Sequence, residues 1–115
     1  MGTEGQKFET EMNRGFLQVL VLVVLERETY GYAALARLEA AGYPVEESTL
    51  YPLLRRLETH GHLTSRWRVE GGRPRKFYRL SDTGRRLRGE LLALWRRQHA
   101  VLDSLMNIDE EASHD

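Results

Sequence analysis

The 115-residue chain contains no cysteine, which excludes disulfides, thiol nucleophiles and zinc sites built on sulfur ligands, and is neutral to an intracellular address. Long apolar runs are also missing. The longest, Phe16 to Leu25, is broken by Gln18 and is about half of the roughly 20 residues that a bilayer span needs. It carries no small-residue cleavage pattern, so the chain is expected in the cytoplasm, with no membrane contact. No Ser-His-Asp set, paired-carboxylate site or glycine-rich nucleotide loop is present, because the single Gly-Gly pair belongs to a turn. His60 and His62, with His99 distant, lack the further ligands that a metal requires. An enzyme, a metal site and a cofactor are therefore not expected.

Charge is present in balance but not in mixture. The 17 basic and 17 acidic groups cancel overall, yet residues 55–97 hold 13 basic against 4 acidic, leaving the remainder 4 against 13. A block of net +9 between acidic ends is the footprint of a polyanion-binding face. Arginine outnumbers lysine 15 to 2, which suits bidentate phosphate and guanine contacts and equally fits a compositional bias.

Residues 1–12 are polar and aperiodic, a tail or a helix start, and 109–115 are acidic and small, a disordered tail. Asn13 is positioned to cap a first helix to about Glu28 that is apolar on nearly every side and so belongs at the centre. Thr29 is placed to cap a short second helix that stops at Gly42 and Pro44. A third helix shows Leu50, Leu53, Leu54 and Leu57 in one stripe, ends at Gly61, and needs Pro52 near its first turn. Its other face carries Ser48, Thr49, Arg55, Arg56 and Thr59. Two strand-like stretches follow, around Gly71-Gly72-Arg73-Pro74, as a hairpin with an arginine-rich tip. The expected fold is mainly α with a small β-wing: a winged helix-turn-helix over 13–80. From 81 to 108, Ser81 caps a long helix on which Leu87, Leu91, Leu94, Gln98, Val101 and Leu105 form a heptad seam widened by Leu102 and Trp95. The same helix of a second copy is the simplest cover, so a homodimer is expected.

The stretches Thr49–Glu58 (TLYPLLRRLE) and Gly71–Gly84 (GGRPRKFYRLSDTG), with Tyr30-Gly31-Tyr32, resemble the PadR family of bacterial transcriptional regulators over about residues 14–106. Phe77 stands where tyrosine is also common in that family. The resemblance implies a winged-helix domain, a single dimerisation helix as in the short-tailed members, and repression of a promoter that a small aromatic compound relieves.

On that reading Ser48, Thr49, Tyr51, Arg55 and Arg56 lie on the recognition helix, where arginine can pair with guanine and hydroxyls with phosphate or base edges. Arg73, Arg75 and Lys76 form a wing that follows phosphates or enters the minor groove, with Arg66 and Arg68 as weaker strand-face candidates. The partner is double-stranded DNA with a palindromic operator. Trp95 is either dimer core or, as in some drug-responsive relatives, the wall of an inter-subunit cavity for a planar aromatic ligand, shared with Phe8, Met12 and Phe16. The competing reading is a winged-helix dimer that acts as a protein-interaction module, which would have no need of the arginine density.

Overall fold

The computed structural model describes the backbone of residues 3–114 and the side chains of residues 3–107. In chain order it comprises α1 (Glu4–Val24), β1 (Thr29–Tyr30), α2 (Gly31–Ala40), α3 (Glu47–Thr59), β2 (Leu63–Glu70), β3 (Arg73–Leu80) and α4 (Asp82–His114). The three strands form an antiparallel sheet in the order β1-β3-β2. This is a winged helix-turn-helix followed by a long helix, the expected fold.

The core forms because each helix contributes one apolar stripe to a common centre. Leu50, Leu53, Leu54 and Leu57 of α3 are all buried, against Leu17, Val21, Leu22 and Val24 of α1 and Ala34 and Leu38 of α2. Leu63, Tyr78 and Leu80 close it from the sheet. Each such leucine contributes about 1.5–3 kcal/mol by leaving water, which for so small a domain is a large share of its stability.

Several boundaries differ from the sequence expectation. The first helix starts at Glu4, not after Asn13, because Thr3 accepts from the Gln6 backbone N–H while the Gln6 side chain accepts from Thr3, a reciprocal cap. It ends at Val24, four residues short of Glu28. Thr29 does not cap α2: Thr29 and Tyr30 are extended and pair with Tyr78 and Phe77, so the cap position falls to Tyr30, which makes no side-chain cap bond. Pro52 is the sixth residue of α3, in its second turn rather than its first, where it cannot donate to the Ser48 carbonyl. Arg73 and Pro74 are strand residues; the turn is Gly71-Gly72 alone, with φ of 59° and 78°, the left-handed pair that a two-residue hairpin requires. The last helix runs on to His114, past the expected end at 108, over residues expected as a tail; Asp115 lies outside the described residues.

A compact polar knot joins the hairpin to α4. Ser81 Oγ donates to the Gly61 carbonyl at 2.6 Å and accepts from the Gly84 N–H at 3.0 Å, capping α4, while Thr83 Oγ1 donates to the same Gly61 carbonyl at 2.7 Å. Gly84 is required there: a Cβ would lie 2.0 Å from the His62 carbonyl oxygen.

Candidate nucleic-acid interface

The basic groups converge because α3 and the wing meet at an angle over the start of α2. Between them runs an open groove of about 720 Å³ lined by Tyr30, Gly31, Tyr32, Tyr51 and Leu54, with Arg55 on one side and Arg73, Pro74, Arg75, Lys76 and Tyr78 on the other. Of the expected recognition residues, Ser48, Thr49, Arg55 and Arg56 are exposed. Arg55 lines the groove and Arg56 does not. Ser48 Oγ donates to Glu46 Oε2 at 3.4 Å, holding it beside the helix start. Neither arginine has an ion-pair partner among the described residues, so both guanidiniums are available to an anion.

Tyr51 is half-buried and packs its ring against Gly31, where a Cβ would come within 2.7 Å of Tyr51 Cε1. Gly31 thus sets the depth of the ring. Burial pushes the Tyr51 phenol above its ordinary value, and Glu47, Tyr32 and Tyr78 add to the shift, so it is a neutral donor to whatever enters the groove.

The three wing cations differ in what already holds them. Arg73 is exposed, with no ion-pair partner among the described residues. Arg75 stacks its guanidinium 4.3 Å from the centre of the Tyr30 ring, which fixes its direction without neutralising its charge. Lys76 is not free: its ammonium donates to Glu58 Oε1 at 3.1 Å and sits 5.2 Å from the Tyr78 ring. Glu58, near the end of α3, also accepts a short hydrogen bond from Ser65 of β2, and so fastens the recognition helix to both strands of the wing. The bond from Ser65, then that from Lys76, holds the Glu58 carboxyl below its ordinary value against burial, and the same ion pair raises Lys76.

Arg66 and Arg68 face away from α3. Glu28 takes a bidentate pair from Arg66, at 3.0 and 3.1 Å, and a third bond from Arg68 at 2.6 Å. These bonds, with that from Arg66 the larger cause, keep the Glu28 carboxyl below its ordinary value. Arg68 also covers the Phe77 ring at 4.2 Å. Both arginines are structural braces of the wing's rear face. Sequence reasoning missed Glu28 as the partner of Arg66 and Arg68, and Glu58 as the partner of Lys76; for Glu58 the available signal was its presence as one of four acids in the basic block.

The dimerisation and ligand candidates lie at the opposite end. Leu87 and Leu91 are half-buried against the chain's own core, whereas Val101, Leu102 and Leu105 are more than half exposed, and Gln98 lies exposed between them. Trp95 borders a second groove of about 670 Å³ between α1 and α4, with Met12, Phe16, Leu91, Leu94 and Leu102. Trp95 stacks on His99, 13° from parallel at 5.2 Å. Phe8 is exposed on α1 one turn beyond the groove and does not line it. Among the described residues no helix is long and apolar enough to cross a membrane, and no group of three potential metal ligands occurs.

Known proteins share this fold. The chain is similar to a PadR-family transcriptional regulator from Eggerthella lenta, 42% identical with a TM-score of 0.79 over 87% of this chain and 89% of that one. It is similar to Bacillus subtilis PadR, crystallised in complex with operator DNA, at 26% identity and a TM-score of 0.61 over 67% of this chain and 45% of that one. Transcriptional regulator Rv3488 of Mycobacterium tuberculosis is 43% identical over 60 residues; the match takes in 52% of this chain and 56% of that protein's length. The model of the transcriptional regulator PadR-like family matches residues 19–90, the span holding α3, the wing and their shared groove, and the chain belongs to that family of transcriptional regulators rather than to any class of enzyme.

Proposed function

We propose that the chain is a cytoplasmic, homodimeric, sequence-specific DNA-binding repressor that sits on a palindromic operator and is released by a planar aromatic compound. The observation that carries the reading is the convergence of Arg55, Arg73, Arg75 and Lys76 with neutral Tyr51 around one open groove, on a fold whose apolar face lies elsewhere. Four cations bordering a groove beside an exposed helix N-terminal half match the needs of a duplex: phosphates for the wing, base edges for Ser48, Thr49, Arg55 and Arg56. The operator complex of Bacillus subtilis PadR supports the same geometry here. The exposed stripe Val101, Leu102, Leu105 continues the heptad of Leu94 and supports pairing through α4, which would set two recognition helices about 34 Å apart on successive major grooves. The α1–α4 groove at Trp95, mostly apolar with a few polar groups, suits a flat ligand enclosed by the second copy.

The test is a nuclease footprint over the chain's own promoter. Protection of two half-sites spaced by one helical turn is the expected result. No protection at any salt, together with uniform capture of unrelated proteins by the same surface, would favour the protein-interaction module instead.

A further inference from the structure

One residue of α3 is explained neither by the core nor by the basic groove. Pro52 is exposed, lies in the second turn of the helix and does not line the groove. Proline is the least favourable residue for a helix interior, because it has no N–H to give the Ser48 carbonyl and its ring crowds the preceding turn. An exposed ring offsets none of that through packing. Proteins break such local rules mostly at functional surfaces. Helical spacing fixes where the ring stands: with Leu50, Leu53, Leu54 and Leu57 buried on one side, Pro52 falls on the opposite, outward side. Ser48 and Thr49 precede it by four and three residues, Arg55 and Arg56 follow by three and four, and neighbours at such spacings have Cβ atoms about 5–6 Å apart. Pro52 is thus the centre of a four-cornered patch whose corners are all exposed, two hydroxyls and two guanidiniums. Neither guanidinium is ion-paired among the described residues.

We infer that Pro52 is a specificity-determining residue that reads thymine, its ring laid against the C5 methyl in the major groove while Arg55 and Arg56 take guanine or phosphate beside it. This rests on the DNA-binding reading above and assigns a base to a side chain that has no hydrogen bond to offer. The choice of occupant follows from the chemistry of base edges. Major-groove edges present donors and acceptors, and the thymine methyl is the apolar group among them. A prolyl ring has no donor, acceptor or charge, so at the centre of a duplex-facing patch it would cost free energy against a polar edge and gain it by covering a methyl. A protein partner is disfavoured because the ring stands alone among polar and cationic neighbours, whereas protein interfaces have a contiguous apolar centre.

The experiment is methyl interference with the full chain. A fragment of the chain's own promoter is made with deoxyuridine replacing thymidine sparsely and at random, which removes single methyls and nothing else. Bound and free molecules are separated on a native gel and cleaved at uracil. Covering a methyl changes affinity about fourfold, so the parent should deplete uracil from the bound fraction by about that factor at a thymine in each half-site. Pro52→Gly should bind thymine and uracil alike at those positions, and Pro52→Ala, which keeps one methyl, should retain part of the difference. Both variants should keep the helical signal and melt no lower than the parent, since either residue suits a helix interior better than proline. A parent for which no thymine methyl matters overturns the proposal, because the ring then meets sugar or solvent. Depletion that persists undiminished in Pro52→Gly overturns it too, whether or not overall affinity falls, because another side chain then covers the methyl. If Pro52→Gly retains no fragment, Pro52→Ala decides by the same comparison. A parent that retains no fragment at any salt refutes the DNA-binding reading itself, and is seen before any variant is compared.

Discussion

The three wing cations carry one formal charge each but should not contribute equally to DNA binding. Arg73 stands without an ion-pair partner among the described residues, whereas Lys76 is already paired with Glu58 at 3.1 Å. A free cation that meets a phosphate releases condensed counterions and steepens the salt dependence by about 0.9 per contact. Between about 50 and 200 mM salt, one such contact changes the affinity ratio of parent to variant roughly 3.5-fold. Arg73→Ala should therefore flatten the slope by nearly one unit. Lys76→Ala should flatten it by less than half of that, since the ammonium and Glu58 enter the complex as a near-neutral pair. Its affinity should still fall, because the uncovered Glu58 carboxylate then faces phosphate. Glu58→Gln frees Lys76 and should steepen the slope beyond the parent's. Anisotropy titrations at several salt concentrations read all three. Equal flattening by Arg73→Ala and Lys76→Ala, with no change for Glu58→Gln, would refute the assignment of Lys76 as a strut between wing and recognition helix.

How far the sequence showed this site depends on whether its geometry is local. The α3 stripe was legible because 3.6-residue spacing puts Leu50, Leu53, Leu54 and Leu57 on one side, and that side fixes Arg55 and Arg56 on the other. The hairpin was legible because two successive glycines between alternating strands leave few other options. The start of α1 was not, since residues 4–12 are mostly exposed and carry no stripe; only the Thr3/Gln6 cap marks it. β1 has two residues, and its extended form exists only because β3 offers an edge, so Thr29 read locally as a cap. The braces were the least legible. Glu28 and Arg66 are 38 residues apart and Glu58 and Lys76 are 18 apart, and no periodicity relates such pairs. The sequence therefore showed how much charge the wing carries, while only the fold shows which of that charge is already spent.

Pairing through α4 predicts that Val101→Asp with Leu105→Asp yields monomers in sedimentation while circular dichroism keeps the helical signal, because these positions are exposed on the single chain; an intact dimer would refute the seam. Acid should loosen the wing. Glu58 and Glu28 have depressed values when folded, so their contribution is complete above the ordinary value of 4.5 and is lost as pH falls below it, whereas the raised Lys76 loses its contribution only above 10.5. Melting temperature should fall as pH drops below 4.5, with a shallower fall in Glu58→Gln. Two glycines that look alike in sequence should differ in effect. Gly84→Ala drives a Cβ to within 2.0 Å of a backbone carbonyl and should cost about 3 kcal/mol or more in thermal or urea unfolding. Gly31→Ala meets only the Tyr51 ring at 2.7 Å, which can swing aside, so it should cost about 1 kcal/mol yet weaken DNA binding; equal stability losses would show the close approaches to be misread. Finally, Trp95 lines the apolar α1–α4 groove, 43% exposed and stacked on His99, so a flat aromatic compound that enters should quench its emission. At one hundred times its dissociation constant such a ligand stabilises the folded dimer by about 2.7 kcal/mol. The fully separate Trp67 on the wing supplies an unresponsive background. Since a ligand shifts an equilibrium only by binding one state more tightly, an effector role requires that quenching be accompanied by a change in operator affinity, through the spacing of the two recognition helices. Trp95→Ala should abolish the quenching and leave DNA binding nearly intact. If it dissociates the dimer instead, and no compound of an aromatic panel quenches the parent, Trp95 is interface packing and the groove has no effector.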